Sequence, residues 1–431
     1  MTEIINKIED SGVKYIRYQF TDLYGSLRGL EAPVRLAGKF ISDGLGVDGS
    51  SVGFLSAEAS DMRLQPNPET FLVLPWNNEI GVLTCDLLES DGKPSLMDPR
   101  NILKQQLQKL KEMGYYAEVR PELEYYLLEA DEEGYYHPAD NARYFDLEPF
   151  DQFGHLRQHV VEFAEEIGMD VKYAHAECGP AQQEIELGFG EPLATADQTQ
   201  LLKQAIRLTA DEEGLIATFL PKPFSTEAGN GLHVHQRIMK NGKSIFGDEK
   251  EITDELRWYV GGLLKHAPAL SAFFNPITNS YRRMVPGHEA PVYLSWGVGN
   301  RTALVRIPGY ESSVRCEFRG ADGVANIYLL FALQLAAGID GIKNKIEPNE
   351  PTIDDVCKYT EEERQKKNIQ TLPSSLYEAL MQMKNSDFIK QTLNDSLINT
   401  YLKKKLSEWD TFVSGESSVT DWEFNDFLHY G

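Results

Sequence analysis

The chain has 431 residues, with 42 Lys and Arg against 66 Asp and Glu, a formal net charge of −24. That balance excludes a basic footprint for nucleic acid and makes an anionic membrane a poor partner, so any anionic substrate has to be captured by local cationic groups working against the overall field. An apolar content of 42% and a charged content of 25% are those of an ordinary globular protein, long enough for two domains.

No charged segment followed by an apolar run opens the chain, so no secretory signal is expected. Residues 13–20, 71–74 and 81–86 are short β-type runs separated by turns, which makes 1–97 a small, strand-rich domain. Asp98 and Pro99 then supply an N-cap and a first-turn proline. Ile102, Leu103, Leu107, Leu110 and Met113 follow at helical spacing up to Gly114. The second domain, 98–431, starts there.

Within it, Arg120-Pro-Glu-Leu-Glu-Tyr-Tyr-Leu-Leu128 has a period of two that sets Glu122 and Glu124 on one face of a strand and Leu123 and Tyr125 on the other. Leu156, Val160, Phe163 and Ile167 mark a helix, 169–176 a strand, 201–208 a helix and 215–219 a strand, an α+β pattern. His233 and His235 repeat the two-residue phase in Gly-Asn-Gly-Leu-His-Val-His. The most apolar run, 327–339, is too short to span a bilayer and contains Gln334, so it reads as a buried helix. Residues 348–367 form a charged, loop-rich excursion before a helical tail. Cys85, Cys178, Cys316 and Cys357 are dispersed without a Cys-x-x-Cys spacing, which argues against a disulfide framework or structural zinc and fits a reducing cytoplasm.

Glu122, Glu124, Glu177, Glu184, His233, His235 and Glu317 fall in short clusters along this domain, the pattern of one acidic basin assembled from several strands. Taken singly, each Glu is half of an ordinary surface ion pair. Together, on apolar strand-like segments, they point to a metal site. Many carboxylates with little imidazole suit Mg²⁺ or Mn²⁺ better than zinc, and a phosphate-bearing substrate is the natural partner of such ions.

Asp48-Gly-Ser-Ser51, followed by Ala59-Ser-Asp-Met-Arg-Leu64, resembles the N-terminal signature of glutamine synthetases. Lys222-Pro-Phe and Ala228-Gly-Asn-Gly-Leu-His233 resemble that family's ATP-region signature. Asn279-Ser-Tyr-Arg-Arg-Met-Val-Pro-Gly-His-Glu-Ala-Pro291 and Asn300-Arg-Thr-Ala-Leu-Val-Arg306 complete the set in the family's order. The resemblance runs from about residue 13 to the Trp422-Glu423 tail, nearly the whole chain.

The resemblance implies an α+β chain with a small N-terminal β-grasp domain and a large catalytic domain, a barrel-like antiparallel sheet with helices. The implied activity is that of an ATP-dependent glutamate–ammonia ligase working through γ-glutamyl phosphate. It makes Glu124, Glu177 and Glu184 ligands of one divalent ion, Mg²⁺ or Mn²⁺, and Glu122, His233 and Glu317 ligands of a second. Arg283 and Arg319 would hold the glutamate carboxylate, Arg301 the travelling phosphoryl group, and His235, Arg306 and Arg315 the nucleotide. Guanidinium forks suit all of these anions. Gly229, Ser51 and Tyr144 would line the substrate pocket, Asp48 would bind ammonium and take its proton, and Glu289 would act from a closing loop.

The family pattern also implies a dodecamer of two stacked hexameric rings, with Asp48 reaching a neighbouring subunit's site. The chain departs from the pattern at Ala228, His288 and Arg143, around the glutamate amino group and the amine, and at Arg237. Cys357 stands where adenylylated relatives carry the modified Tyr. Rival readings are a γ-glutamyl ligase for a polyamine or other amine, a non-catalytic sensor of glutamate or nucleotide, and a phosphagen kinase. The last would need neither Asp48 nor its Gly-Ser-Ser segment.

Overall fold

A computed structural model describes residues 2–54, 60–248, 251–287, 290–309, 314–415 and 421–430. Helices α1 (Thr2–Asp10) and α2 (Ala37–Asp43) pack on a six-stranded sheet of β1 (Tyr15–Thr21), β2 (Leu27–Pro33), β3 (Leu45–Asp48), β4 (Asp61–Pro66), β5 (Leu72–Leu74) and β6 (Asn77–Leu88). The order is β2-β1-β6-β4-β3, with β5 also on β6; β1 and β6 run parallel and the other pairs antiparallel. The two helices went unread in the sequence. Ile8 of α1 is buried, and Ile4 and Ile5 pack against the core beside it, a face too short to stand out among the strands.

Helix α3 (Pro99–Glu112) starts as its sequence dictates. The Asp98 carboxylate accepts the backbone N–H of Arg100 at 3.0 Å, Pro99 fills the first turn, and Gly114 beyond the end has φ +77°. Next come β7 (Tyr116–Ala130), β8 (Tyr136–Pro138), α4 (Gly154–Glu166), β9 (Val171–Ala176), β10 (Gln182–Leu187), α5 (Pro192–Glu212), β11 (Ile216–Thr218) and β12 (Leu232–Lys240). Three two-residue strands, β13 (Lys243–Ser244), β14 (Gly247–Asp248) and β15 (Glu251–Ile252), precede α6 (Asp254–Phe274), the single turn α7 (Ser280–Arg283), β16 (Trp296–Val298), β17 (Val305–Ile307), β18 (Cys316–Phe318) and α8 (Ile327–Asn344). The tail is helical: α9 (Glu361–Lys366), α10 (Leu376–Asn385), α11 (Asp387–Thr392), α12 (Asp395–Val413) and α13 (Asp421–Phe427).

The large sheet has ten strands in the order β16-β17-β18-β12-β7-β10-β9, with β8 and β11 also on β7 and β13 on β12. It is antiparallel except for the β16–β17 pair at its edge. Its back is covered by α3, α5, α6 and α8. The apolar run that reads as a buried helix is α8, whose side chains from Ile327 to Leu335 are all buried. Close passage of α6 and α8 needs glycine on both: a Cβ at Gly262 would lie 2.1 Å from the Ala337 carbonyl oxygen, and one at Gly341 2.0 Å from that of Trp258. The β1–β2 turn docks on the start of α8, where Asn326 donates to the Asp22 and Leu23 carbonyls at 3.0 and 3.3 Å.

Candidate active site

Sheet register gathers the scattered carboxylates. Glu122 of β7 lies opposite His233 of β12 on one side and Glu186 of β10 on the other, while Glu124 lies opposite Glu184. His235 lies opposite both Arg120 of β7 and Glu317 of β18, and Glu317 opposite Arg306 of β17. Every second residue of β7, β10, β12 and β18 thus faces one concave surface, and Leu123, Tyr125, Ile185, Val234 and Phe318 between them are buried in the core. The surface lines a cavity of about 1170 Å³.

The His233 Nδ1 lies 3.0 Å from a Glu122 oxygen and 4.0 Å from Glu317, and its Nε2 3.8 Å from Glu124. Glu122, His233 and Glu317 form a trio with one ligand atom each within 4.8 Å, a donor set that fits a divalent cation. Glu177 and Glu184 are brought together by His175, at 3.6 and 3.5 Å, and these three make a second such group. Glu124 stands between the groups and accepts the backbone N–H of Gly231 at 2.6 Å. Two participants were missed in the sequence. His175 is two residues before Glu177 on β9 and Glu186 two after Glu184 on β10, so the same alternation that marks the other ligands marks them too.

Electrostatics divide the basin. Burial works against the charge on Glu122, but His235 and His233 beside it hold its carboxyl well below the usual range. For Glu317 burial is likewise overcome, chiefly by Arg319 and His235, which hold the carboxyl down to about 2. Glu184 goes the other way: burial and the nearby Glu122, Glu124 and Glu177 carboxylates push it well up. Burial also raises Glu124, against the pull of His233. Crowded carboxylates of this kind are relieved by a cation. The second imidazole is oriented: Arg315 Nε donates to His235 Nδ1 at 3.0 Å, so Nε2 carries the proton toward Glu122 at 2.5 Å.

Arginines line the same cavity. Arg306 and Arg319 donate to Glu317 at 2.6 and 2.5 Å, and Arg283 donates to the Arg319 carbonyl at 3.5 Å. Arg319 Nε is buried and has no hydrogen-bond partner among the described residues, a donor available to an anion. Arg283 passes close to two glycines: a Cβ at Gly229 would lie 2.8 Å from its Cγ, and one at Gly231 2.8 Å from a guanidinium nitrogen. Arg301 lines the cavity from an exposed position.

Of the residues expected around the amine, the structure brings together fewer. Tyr144 lines the cavity mouth, its ring stacked on Phe145 at 4.1 Å and edge-on to His175 at 5.5 Å. Asp48 and Ser51 are not among the lining residues. The Asp48 carboxylate accepts from the Ser51 and Ser50 hydroxyls and the Ser50 N–H at 2.7–2.9 Å, bonds that hold it below the usual range, and its side chain is exposed. Glu289 and His288 lie outside the described residues, although Gly287 and Ala290 on either side line the cavity. Of the departures from the pattern, Arg143 donates to Glu227 at 2.9 Å and to the Cys178 carbonyl at 3.3 Å, and Arg237 pairs with Glu118 and lies 4.2 Å over the Phe189 ring. The Ala228 carbonyl accepts from Tyr126 at 2.7 Å. Cys357 lines the mouth with Asp355 and Lys358.

Carboxylates from three strands, lining one cavity together with arginines, define a site suited to a metal cation and anionic substrates together. The profile described as glutamine synthetase, catalytic domain matches residues 96–427, and that of the glutamine synthetase beta-grasp domain residues 12–90. The glutamine synthetase of Thermotoga maritima is 40% identical over 98% of this chain and 98% of its own length, and that of Clostridium saccharobutylicum 38% identical over 99% and 98%. Among solved structures, a GmaS/ADP complex superposes with a TM-score of 0.88 at 28% identity, covering 99% of this chain and 100% of that one, and apo GmaS with 0.87. The chain belongs to the glutamine synthetase family.

Proposed function

We propose that the chain joins ammonia to the side-chain carboxylate of glutamate, driven by ATP. A γ-carboxylate oxygen attacks the terminal phosphorus of ATP, ADP leaves, and the acyl phosphate is attacked at carbon by ammonia; inorganic phosphate departs and glutamine remains. The observation that carries this reading is the basin itself, in which Glu122, His233 and Glu317 line one cavity together with Arg283 and Arg319.

Two Mg²⁺ or Mn²⁺ ions, one held by Glu122, His233 and Glu317 and the other by Glu124, Glu177 and Glu184, would neutralise charge on the phosphates and the glutamate carboxylate. Arg283 and Arg319 grip glutamate, Arg319 with a buried Nε that has no partner among the described residues, and Gly229 leaves room for the Arg283 side chain. Arg301, exposed on the wall, is placed to follow the phosphoryl group, while Arg306, Arg315 and the oriented His235 serve the nucleotide. Glu289 would close the site from its loop.

The amine half needs a second subunit. Asp48, with Ser51 beside it, is assigned the ammonium and its proton, yet neither lines the cavity of its own chain. The segment that follows Tyr144 carries exposed apolar side chains instead: Phe145, which lines the cavity, is 59% exposed, Leu147 70% and Phe150 68%. A homo-oligomer that lays a neighbour's Asp48 loop against Tyr144 covers this patch and completes the site, and a dodecamer of two hexameric rings meets that need. Residues 1–97 then act as the donor domain and 98–431 as the catalytic one. No helix among the described residues is long and apolar enough to cross a membrane, and the four cysteines are free thiols, which a cytoplasmic location accommodates.

The test is phosphate release and product identification with glutamate, ATP and a panel of amines. Glutamine from ammonium is the expected result. Phosphate release with methylamine or putrescine but not ammonium would move the reading to a γ-glutamyl-amine ligase, for which Arg143, Ala228 and His288, where the chain departs from the family pattern, are the reshaped positions.

A further inference from the structure

Arg283 stands at the end of α7, a single helical turn, and a turn that short has no stability of its own. Its position is set by what grips its two ends. At the start, the Asn279 side chain accepts the backbone N–H of Lys222 at 2.7 Å and donates to the Lys222 carbonyl at 3.1 Å, which ties the turn to the loop that leads to Gly229. At the finish, Arg282 points away from the cavity. Both ends meet one carboxylate: Glu423 of α13 accepts from Arg282 Nε and Nη2 at 2.8 and 2.9 Å and from Asn279 at 3.3 Å.

Glu423 is fully buried and the Arg282 side chain is 19% exposed, so water screens this bidentate pair far less than it would a surface pair. Arg282 also lies 5.4 Å over the Phe412 ring of α12. The helix that carries Glu423 is anchored just beyond its end. Thr218 donates to the Leu428 carbonyl at 2.8 Å, Arg207 donates to the Tyr430 carbonyl at 3.1 Å, and Leu428 packs with Tyr126 and Leu128 of β7, the strand that bears Glu122 and Glu124. The tail therefore bridges the strand of the metal basin and the turn of the substrate arginine.

We propose that Glu423 is a positioning residue for glutamate: through Arg282 and Asn279 the C-terminal helix holds Arg283, and with it the Lys222–Gly229 loop, in the substrate-binding arrangement. The inference rests on the reading of Arg283 as a partner of the glutamate carboxylate. When only a fraction of molecules holds the arginine in place, apparent affinity falls by that fraction while the chemistry of bound substrate is unchanged. The effect belongs in the KM for glutamate.

The experiment compares Glu423→Gln, Arg282→Lys and Arg283→Lys in the full chain. Glu423→Gln is expected to raise the KM for glutamate about tenfold, with the KM for ATP unchanged and kcat within about threefold, and Arg282→Lys to do the same. Combining the two should add little, because both break one contact. Should Glu423→Gln not fold, as judged by circular dichroism and thermal unfolding, Arg282→Lys carries the same test from the opposite partner. An unchanged glutamate KM in folded Glu423→Gln or Arg282→Lys, alongside a raised one in Arg283→Lys, overturns the positioning role alone. An unchanged glutamate KM in Arg283→Lys overturns the reading of that arginine on which the inference stands.

Discussion

The two halves of the site differ in how they are held. The metal basin is built from β7, β10, β12 and β18; Glu124, Glu184 and Glu317 are buried, Glu122 nearly so, and sheet register fixes all four. The Asp48 loop ends a short strand of the small domain, is exposed, and satisfies its carboxylate with its own serines. On the proposed reading, groups which must bear charge through phosphoryl transfer are preorganised inside one chain, whereas the group that meets a small diffusible cation is delivered from another.

The largest expected effect lies in the basin. Truncating Glu317 to Ala would strand the buried Arg306 and Arg319 guanidiniums, which costs about 3–5 kcal/mol and confuses folding with catalysis. Glu317→Gln keeps the shape and removes the charge. Turnover measured by phosphate release should fall about 10³-fold or more with the circular dichroism spectrum unchanged. Near-normal turnover would break the basin assignment.

Next in size is the loop. Asp48→Ala should lower glutamine formation about 10²-fold while leaving ATP binding, followed by calorimetry, as it was, because this side chain acts on the amine alone. Equal loss of both would erase the distinction between the halves. The pH dependence separates them further. Burial and the crowded carboxylates raise Glu184, so below its raised value the carboxyl is protonated and a metal ion must displace that proton. Mn²⁺ affinity should then weaken as pH falls, by up to about tenfold per pH unit for one displaced proton, and level off above that range. Asp48 is held low and contributes nothing to this slope. A Mn²⁺ affinity that is flat or strengthens toward acid would contradict the crowding.

The smallest effect is expected at the mouth. The Arg143–Glu227 pair is half-exposed, and such pairs contribute about 0.2–1 kcal/mol. Arg143→Ala should change the preference for ammonium over methylamine by no more than about fivefold, read from competing product formation. A larger change would make this pair a main determinant of the amine.

Much of this was legible in the sequence because sheet phase is written locally. Glu122-Leu-Glu124 and His233-Val-His235 state their own facing, and Asp98-Pro99 states the start of α3. What could not be read is which strands sit side by side: that Glu186 faces Glu122, or that His175 joins Glu177 and Glu184, depends on pairings across β7, β10 and β9. The hold of Glu423 on Arg282 and Asn279 is likewise a tertiary fact with no local signal. Asp48 is the opposite case. Its motif is plain in the sequence, and only the fold shows that it does not enter its own cavity.

The central claim, that each working site takes its basin from one chain and its Asp48 from another, is tested most directly by mixing. Glu317→Gln and Asp48→Ala proteins, each nearly inactive, are combined in equal amounts, dissociated and reassembled, and assayed for glutamine formation. A shared site predicts that about a quarter of the sites recover an intact basin and an intact Asp48, with activity near that share of the unmodified protein carried through the same treatment. If the unmodified protein regains activity and the mixture, shown by light scattering to have reassembled, does not, each chain completes its own site and the account is contradicted.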